Sequence, residues 1–263
     1  MQCDRCGGEQ FTKTGRDRQE RQLYCCKACG RRMTTHSTSA FRGYRFSDDV
    51  IALAVRHSLR YRLSYADVAE WLAERGVTVD PRTVYAWVRT FTPRFIAAAR
   101  THRSVVGRRW RVDETSIKVG KRWHYLFRAI DEHGQMIDVY LSDRRNAAAA
   151  ESFFEAAIDA RTVTPTRVTT DTATCSPPAL RAVLPHAEHR SSKYLNNGLE
   201  RDHHQLNGRR RSMRSFKTCG GARTFRRGHP VIRTPGCSCS ALAGSAPARL
   251  RLAAAWTALA AII

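Results

Sequence analysis

The pattern of apolar and polar positions changes along the chain and predicts three consecutive units. Residues 1–40 hold two cysteine pairs around a short polar stretch that predicts a small hairpin. Residues 44–100 carry apolar positions three and four apart, and residues 105–217 contain several stretches that alternate with a period of two. These are the periods of an α-helix and of a half-buried β-strand. A segment of different character, residues 218–263, follows the third unit.

Three helices are predicted within residues 44–100, and each has its own start signal. Ser47 caps the first, with two aspartates behind it at the positive end of the helix. The motif Ser64-x-x-Asp67 resembles a capping box and begins the second, which Gly76 ends. The pair Asp80-Pro81 begins the third, because proline suits the first helical turn.

The third helix is predicted to have two different faces. Its apolar face is formed by Val84, Trp87, Val88 and Phe91. Arg82, Tyr85 and Arg89 share the opposite face, which suits a recognition helix in the major groove of DNA. We therefore interpret residues 44–100 as a helix-turn-helix DNA-binding domain. The alternative is a three-helix packing module whose basic face is merely solvated.

The third unit is predicted to have an α/β fold with a mixed sheet. Three strands joined by tight turns, an Ala-rich amphipathic helix and a further strand follow one another in this unit. Their predicted bounds are Trp110–Val119, Trp123–Ile130, Met136–Leu141, Asn146–Arg161 and Arg167–Asp171.

The chain has 263 residues, a hydrophobic content of 42% and a net charge of +22. So large an excess of positive charge indicates a polyanionic partner, and nucleic acid is the default. This hydrophobic content excludes a disordered polycation. The longest apolar run, Leu252–Ile263, is too short to span a bilayer, and we expect no membrane partner. The opening residues contain no secretory signal, so we expect a cytoplasmic protein. No acidic residue follows Asp202, although eleven Lys and Arg residues do.

Four of the nine cysteines have the spacing of a zinc site. Cys3-x2-Cys6 and Cys26-x2-Cys29 are two CxxC pairs, and each is followed by glycine. Such knuckles bring four thiolates to one tetrahedral ion, so we predict a zinc ribbon over residues 1–40 with one structural Zn²⁺. A redox-active CxxC pair and unliganded thiols are the alternatives.

Three acidic residues are candidates for a catalytic metal site. Asp113 lies within the first strand, Asp171 ends the fourth, and a helix is expected to present Glu200 from outside the sheet. A carboxylate in an apolar strand is costly unless it is paired or binds a cation. Three such groups are able to hold two Mg²⁺, or Mn²⁺, for phosphoryl transfer. Other acids in strand context are Asp131, Asp138 and Asp143.

Seven short motifs, spread from the start of the chain to about Lys217, resemble the DDE transposases of bacterial insertion sequences, most closely the insertion-sequence-six family. The motifs are Gly43–Phe46, Leu63–Ala69, Thr83–Val88, Trp110–Thr115, Arg128–Asp131, Thr169–Asp171 and Lys193–His203. The resemblance implies an RNase H-like catalytic domain over residues 105–217 in which Asp113, Asp171 and Glu200 match the DDE positions. It also implies binding of terminal inverted repeats and of target DNA, and a homodimer or higher oligomer on paired ends. A protein of this family is expected in the bacterial cytoplasm, associated with the nucleoid. Asp131 and Asp143 become structural acids under this alignment.

Two features depart from that family. Its members usually carry a lysine seven residues after the catalytic glutamate, and here the position is Asn207, with Arg209 close by as another DNA contact. Beyond Thr218 the usual helical ending is not recognisable, so we interpret residues 218–263 as a frameshift product or a disordered tail. A divergent but genuine C-terminus is the alternative. A second zinc site from Cys219, Cys237, Cys239 and His229 is disfavoured because no CxxC knuckle recurs.

The leading prediction is therefore a DNA transposase that cleaves and joins strands with divalent metal. The runner-up is a catalytically impaired DNA-binding relic or regulator, favoured by Asn207 and the abnormal tail. A ribosomal or RNA-binding zinc protein explains the charge but leaves the acids in strands without a role.

Overall fold

The computed structural model describes residues 1–17, 20–34, 37, 39–102, 104–171, 174–192, 216–233, 242 and 246–263. The first described unit is a small antiparallel sheet of three strands in sequence order: β1 Phe11–Arg16, β2 Gln22–Cys26 and β3 Arg32–Met33. Its interior is formed by Cys3, Cys26 and Met33, with Phe11 and Cys29 packed against them. So small a core offers little hydrophobic stabilisation, and domains of this size usually need a metal or a disulfide.

Three helices follow, close to where the capping signals predict them: α1 Asp48–Arg60, α2 Tyr65–Ala73 and α3 Pro81–Thr101. Ser64 and Asp67 form the predicted capping box, and the Asp80 side chain accepts the backbone N–H of Arg82. Gly76 ends the second helix with a φ of +77°, a conformation that glycine adopts without strain. Ser47 stands at the N-cap position of α1, but its side chain makes no capping hydrogen bond, so that part of the prediction is wrong.

The elements after α3 are β4 Arg109–Val119, β5 Arg122–Ile130, β6 Met136–Ser142, α4 Ala147–Arg161, β7 Arg167–Thr170, α5 Ser176–Val183 and β8 Glu188–Ser191. Their strands form one sheet in the order β6-β5-β4-β7-β8. Strands β4, β5 and β6 are antiparallel neighbours, whereas β7 and β8 run parallel to β4. This mixed sheet, with helices packed on it, confirms the predicted α/β class. Strand β8 and helix α5 were not predicted from the sequence.

The side chains on the two faces of β4 belong to two different hydrophobic cores. Trp110 and Val112 face α4 and α5, where Phe153 and Phe154 are fully buried. Ile117 and Val119, near the end of the strand, point to its other face. They belong to the core that is also formed by side chains of α1, α2 and α3. The period-two pattern therefore places successive side chains of β4 in different environments.

Within the described residues of the C-terminal segment lie the helices α6 Cys219–Arg233 and α7 Arg251–Ile262. Helix α6 packs against α1, α3 and β6, and helix α7 packs against α1 and α3. The Trp256 ring stacks on Phe95 with centroids 4.2 Å apart, and its Nε1 donates to the Ala52 carbonyl oxygen at 2.9 Å. A disordered tail is therefore wrong for these two stretches. Among the described helices, none is long and apolar enough to cross a membrane.

Candidate active site

The parallel pairing of β4 with β7 brings two of the predicted carboxylates to one place. Val112 is the register partner of Thr170, so Asp113 and Asp171 follow at the same level of two neighbouring strands. Asp113 is 9% exposed and Asp171 is half-buried. The site therefore combines a carboxylate within the sheet with one at the point where the adjacent strand ends.

Asp113 is held by an ion pair within the sheet. Its register partner on β5 is Arg128, whose Nη2 lies 3.0 Å from Asp113 Oδ2. Arg128 is 1% exposed, which makes it one of the largest fully buried side chains. A guanidinium so deeply buried needs an ion-pair partner, because desolvating an unpaired charge is expensive. Sequence analysis recognised Arg128 in a motif but assigned it no role.

The backbone at Asp171 is held by hydroxyl groups on β7 and β8. Thr170 Oγ1 donates to the Asp171 carbonyl oxygen at 2.9 Å, and Ser191 Oγ donates to the same oxygen at 3.4 Å. The Thr170 hydroxyl also lies 2.9 Å from Nε2 of His189, which is hydrogen-bonding distance between the two side chains. Desolvation and the charge of Arg181 lower the pKa of His189.

Glu114 follows Asp113 on β4, so its side chain lies on the opposite face of the sheet, where it contacts Arg145 and Cys175. Its Oε1 lies 2.6 Å from Arg145 Nε, and its Oε2 accepts a hydrogen bond of 3.1 Å from Cys175 Sγ. Burial and the Glu114 carboxylate raise the pKa of Cys175 to about 11, so the thiol stays protonated and able to donate at neutral pH. Because Cys175 comes four residues after Asp171, this bond ties β4 to the segment beyond β7. Neither side chain was predicted to contribute to the site.

The four cysteines predicted to bind zinc form a cluster of their own. Sulfur atoms of Cys3 and Cys29 are 3.6 Å apart, as are those of Cys6 and Cys26, and all four lie within 4.8 Å of one another. Cys25 points away from this group, and its thiol donates to the Gly30 carbonyl oxygen. The structure therefore brings together the four cysteines with CxxC spacing.

Helix α3 presents the predicted basic face to solvent. Arg82, Tyr85 and Arg89 are all exposed, while Trp87 and Val88 between them are buried. The Arg89 guanidinium lies 5.7 Å from the centroid of the Tyr85 ring, which also makes an edge contact with Tyr65 of α2. The two arginine side chains therefore lie on an exposed surface that a large ligand can reach.

Comparison with known proteins identifies the family. A family model described as a DDE domain matches residues 107–235. The transposase for insertion sequence-like element IS431mec of Staphylococcus aureus is 38% identical over 183 residues, covering 68% of this chain and 81% of the relative. The chain belongs to the insertion-sequence-six family of DDE transposases. The transposase for IS257 in transposon Tn4003 of the same organism is 37% identical with the same coverage.

Solved structures with a likeness to the chain include the catalytic core domain of the HTLV-2 integrase in complex with magnesium. It is 16% identical, with a TM-score of 0.36, and the alignment covers 49% of this chain and 88% of that domain. The family match itself extends through α6, whereas sequence analysis followed the resemblance to about Lys217.

Several residues predicted from the family resemblance lie outside the described residues. These are the third DDE position, Glu200, the neighbouring Asn207 and Arg209, and Cys237 and Cys239 of the disfavoured second zinc site. Within the described part of the chain, Cys219 Sγ lies 3.7 Å from His124 Nε2.

Two of the other strand acids have positions typical of structural residues. Asp131 is 1% exposed and accepts backbone N–H groups from Gly107, His133 and Gln135 at 2.8 to 3.1 Å, which stabilises the turn after β5. Asp143 is exposed at the end of β6. Both observations agree with the structural role that the family alignment implies.

Asp138 lies at a cavity of about 90 Å³ between α3, α4, β6 and α6, well separated in sequence from the DDE positions. Burial raises the pKa of this carboxyl group, and the positive charges of Arg227, Arg100 and Arg161 oppose that effect. Arg161 donates to the backbone carbonyl oxygens of Ile137 and Met136, so its guanidinium supports the strand itself.

Proposed function

We propose that this transposase binds the terminal inverted repeats of its insertion sequence and catalyses metal-dependent DNA cleavage and strand transfer through Asp113, Asp171 and Glu200. The observation that carries the proposal is the register of β4 and β7, which sets Asp113 and Asp171 side by side. Two neighbouring carboxylates repel each other, and a divalent cation bound by both relieves that repulsion. Strand transfer of a labelled inverted-repeat end in Mg²⁺ tests the proposal.

The donor set fits a hard divalent cation. Carboxylate oxygens are the ligands that Mg²⁺ and Mn²⁺ prefer, and the Asp113 and Asp171 side chains supply them from two rigid strands. When bound by Asp113, Asp171 and Glu200, two such ions supply activation of a water or 3′-hydroxyl and charge stabilisation at the leaving oxygen.

The chain's own residues position the carboxylates. Arg128 holds Asp113 within the sheet, and the hydroxyls of Thr170 and Ser191 hold the backbone at Asp171. Reacting groups must be held to within a fraction of an ångström, and rigid strands achieve this better than loops. The presence of both acids on packed strands supports an active enzyme over the DNA-binding relic.

We infer that recognition of the DNA ends uses the exposed face of α3. Arg82 and Arg89 are the guanidinium groups on that face, and guanidinium forks suit phosphates and the guanine edge. Asn207 and Arg209 are further proposed contacts, and the excess of cations favours binding of both end and target DNA. We further propose that a homodimer or higher oligomer assembles on paired ends, and we place this complex on DNA in the cytoplasm.

Replacement of Arg82 by alanine is expected to weaken binding to the inverted repeat by about ten-fold or more, since a lost base or phosphate contact costs roughly 1–3 kcal/mol. The dissociation constant is measured by fluorescence anisotropy at several salt concentrations. Arg60→Ala, an exposed arginine at the end of α1, is the matched control and should change affinity less than two-fold. Wild-type affinity for Arg82→Ala would indicate a solvated face on a packing module.

We also propose that the four clustered cysteines bind one structural Zn²⁺. Tetrahedral ligands at about 2.3 Å from a zinc ion lie about 3.8 Å apart, close to the observed separation of 3.6 Å. Gly8 leaves room for the cluster, since a Cβ there would lie 3.3 Å from Cys26 Sγ. The small apolar core of this unit makes a metal the natural source of its stability.

Substitution of Cys26 by serine is expected to remove the bound zinc, because the site then lacks one of its thiolates. The zinc content per chain, measured by plasma mass spectrometry after dialysis, should fall from about one to near zero. Cys25→Ser is the matched control, since its thiol faces away from the cluster, and should keep the metal. Equal zinc content in the two variants would contradict the proposed ligand set.

A further inference from the structure

Arg128 is a buried cation placed directly against a proposed metal ligand. Its side chain is 1% exposed, and its Nη2 contacts Asp113 Oδ2 at 3.0 Å. A cation beside a metal ligand opposes metal binding by repulsion, so its presence there requires a compensating role. No step of the proposed reaction gives Arg128 such a role.

The position of Arg128 is determined by the backbone register. Residues opposite each other on antiparallel strands have Cβ atoms about 4.5–5.5 Å apart, and Asp113 and Arg128 are such a pair. Eight further register pairs join the same two strands, from Arg111 with Ile130 to Val119 with Arg122. The backbone of Arg128 is therefore fixed opposite Asp113 by its neighbours on both sides, and its buried side chain presents Nη2 to the carboxylate.

We propose that Arg128 is a positioning residue that orients Asp113 for the divalent cation, and that Asp113 in turn is a counter-ion that stabilises the buried Arg128. The inference rests on the proposed metal site at Asp113 and Asp171. A carboxylate has about four acceptor positions, so one bond to a guanidinium leaves capacity for a metal. Hydrogen-bonded partners of metal ligands typically change metal affinity by 10- to 100-fold when they are altered.

The first test changes the geometry of the donor but keeps its charge. In Arg128→Lys the repulsion toward a metal is retained, whereas the planar fork is lost. Titration of the full, zinc-loaded chain with Mn²⁺ by calorimetry should give a dissociation constant at least about ten-fold weaker than that of the wild type. Raised Mn²⁺ should restore strand transfer, which a merely unfolded variant cannot do.

The control for this test is Arg122→Lys, an exposed arginine on the same strand, which should bind Mn²⁺ like the wild type. Wild-type affinity in a folded Arg128→Lys would overturn the positioning role and leave the proposed function intact. A wild-type chain that binds no Mn²⁺ would instead overturn the metal site itself.

The second test needs no catalytic metal and separates the two acids. In buffer that contains no Mg²⁺ or Mn²⁺ and with the structural zinc retained, Asp113→Asn removes the carboxylate charge that the buried Arg128 Nη2 contacts, whereas Asp171→Asn changes a half-buried group directly after a strand. The melting temperature of Asp113→Asn should lie on the order of 10 °C below that of Asp171→Asn. Equal melting temperatures would overturn the counter-ion role, whatever the activity of either variant.

Discussion

Strand transfer is expected to fall by at least about 10³-fold in Asp171→Asn, because the amide is a poor replacement for a charged ligand at a metal site that stabilises developing charge. The substitution preserves the size of the side chain, and Asp171 lies at the end of β7. The fold should therefore survive, and binding to the inverted repeat should remain close to that of the wild type. The measurement follows a labelled DNA end joined to a target in Mg²⁺.

Asp143→Asn provides the matched control for this loss. It makes the same chemical change at an exposed acid in the same domain, at the end of β6, and should leave the product yield unchanged. Retained transfer in Asp171→Asn would contradict the assignment of this acid. A wild-type chain that binds the ends but gives no metal-dependent product would favour the DNA-binding relic over the enzyme.

Replacement of Trp256 by alanine is expected to destabilise the protein by about 3–5 kcal/mol, as is usual for a buried tryptophan. This side chain is 3% exposed, stacks on Phe95 and donates to the Ala52 carbonyl oxygen. For a domain of this size the melting temperature should fall by roughly 10 °C. Differential scanning calorimetry measures the change, which reports directly on whether α7 packs against α1 and α3.

Trp123→Ala removes the same side chain from a site that is 58% exposed, and it should lower the melting temperature by no more than about 2 °C. If the two tryptophan variants have the same stability, the C-terminal helix contributes nothing to the core. That result would favour the frameshift interpretation, in which residues 218–263 were never selected for packing. A large difference would favour a genuine, divergent C-terminus.

The elements that the sequence predicts well are those with local signals. The capping box at Ser64 and the turn at Gly120 depend on residues within four positions of one another, and the structure shows both. The CxxC pairs are local in the same way, and their spacing identified which cysteines converge. Strand β8 was missed because its four residues, Glu188–Ser191, are all exposed and polar and show no alternation.

The candidate site was predicted in part. Asp113 and Asp171 were recognisable because a carboxylate at a strand position is unusual, and the parallel pairing of β4 with β7 brings them together. The pattern of polar and apolar residues does not predict the side-chain contacts that hold this site. The bond between Cys175 and Glu114 joins residues 61 positions apart, and although Glu114 lies in the Trp110–Thr115 motif, no local pattern connects it with Cys175.

The sequence by itself determined the order of the three units, the class of the fold and the chemistry of the candidate ligands, because helix caps, strand alternation and cysteine spacing act over a few residues. Only the tertiary structure decided that Arg128 contacts Asp113 and that Trp256 contacts Ala52, which are 15 and 204 positions apart. Such pairs form because strand register and helix packing bring distant residues together, and burial then requires each charge or polar group to find a partner.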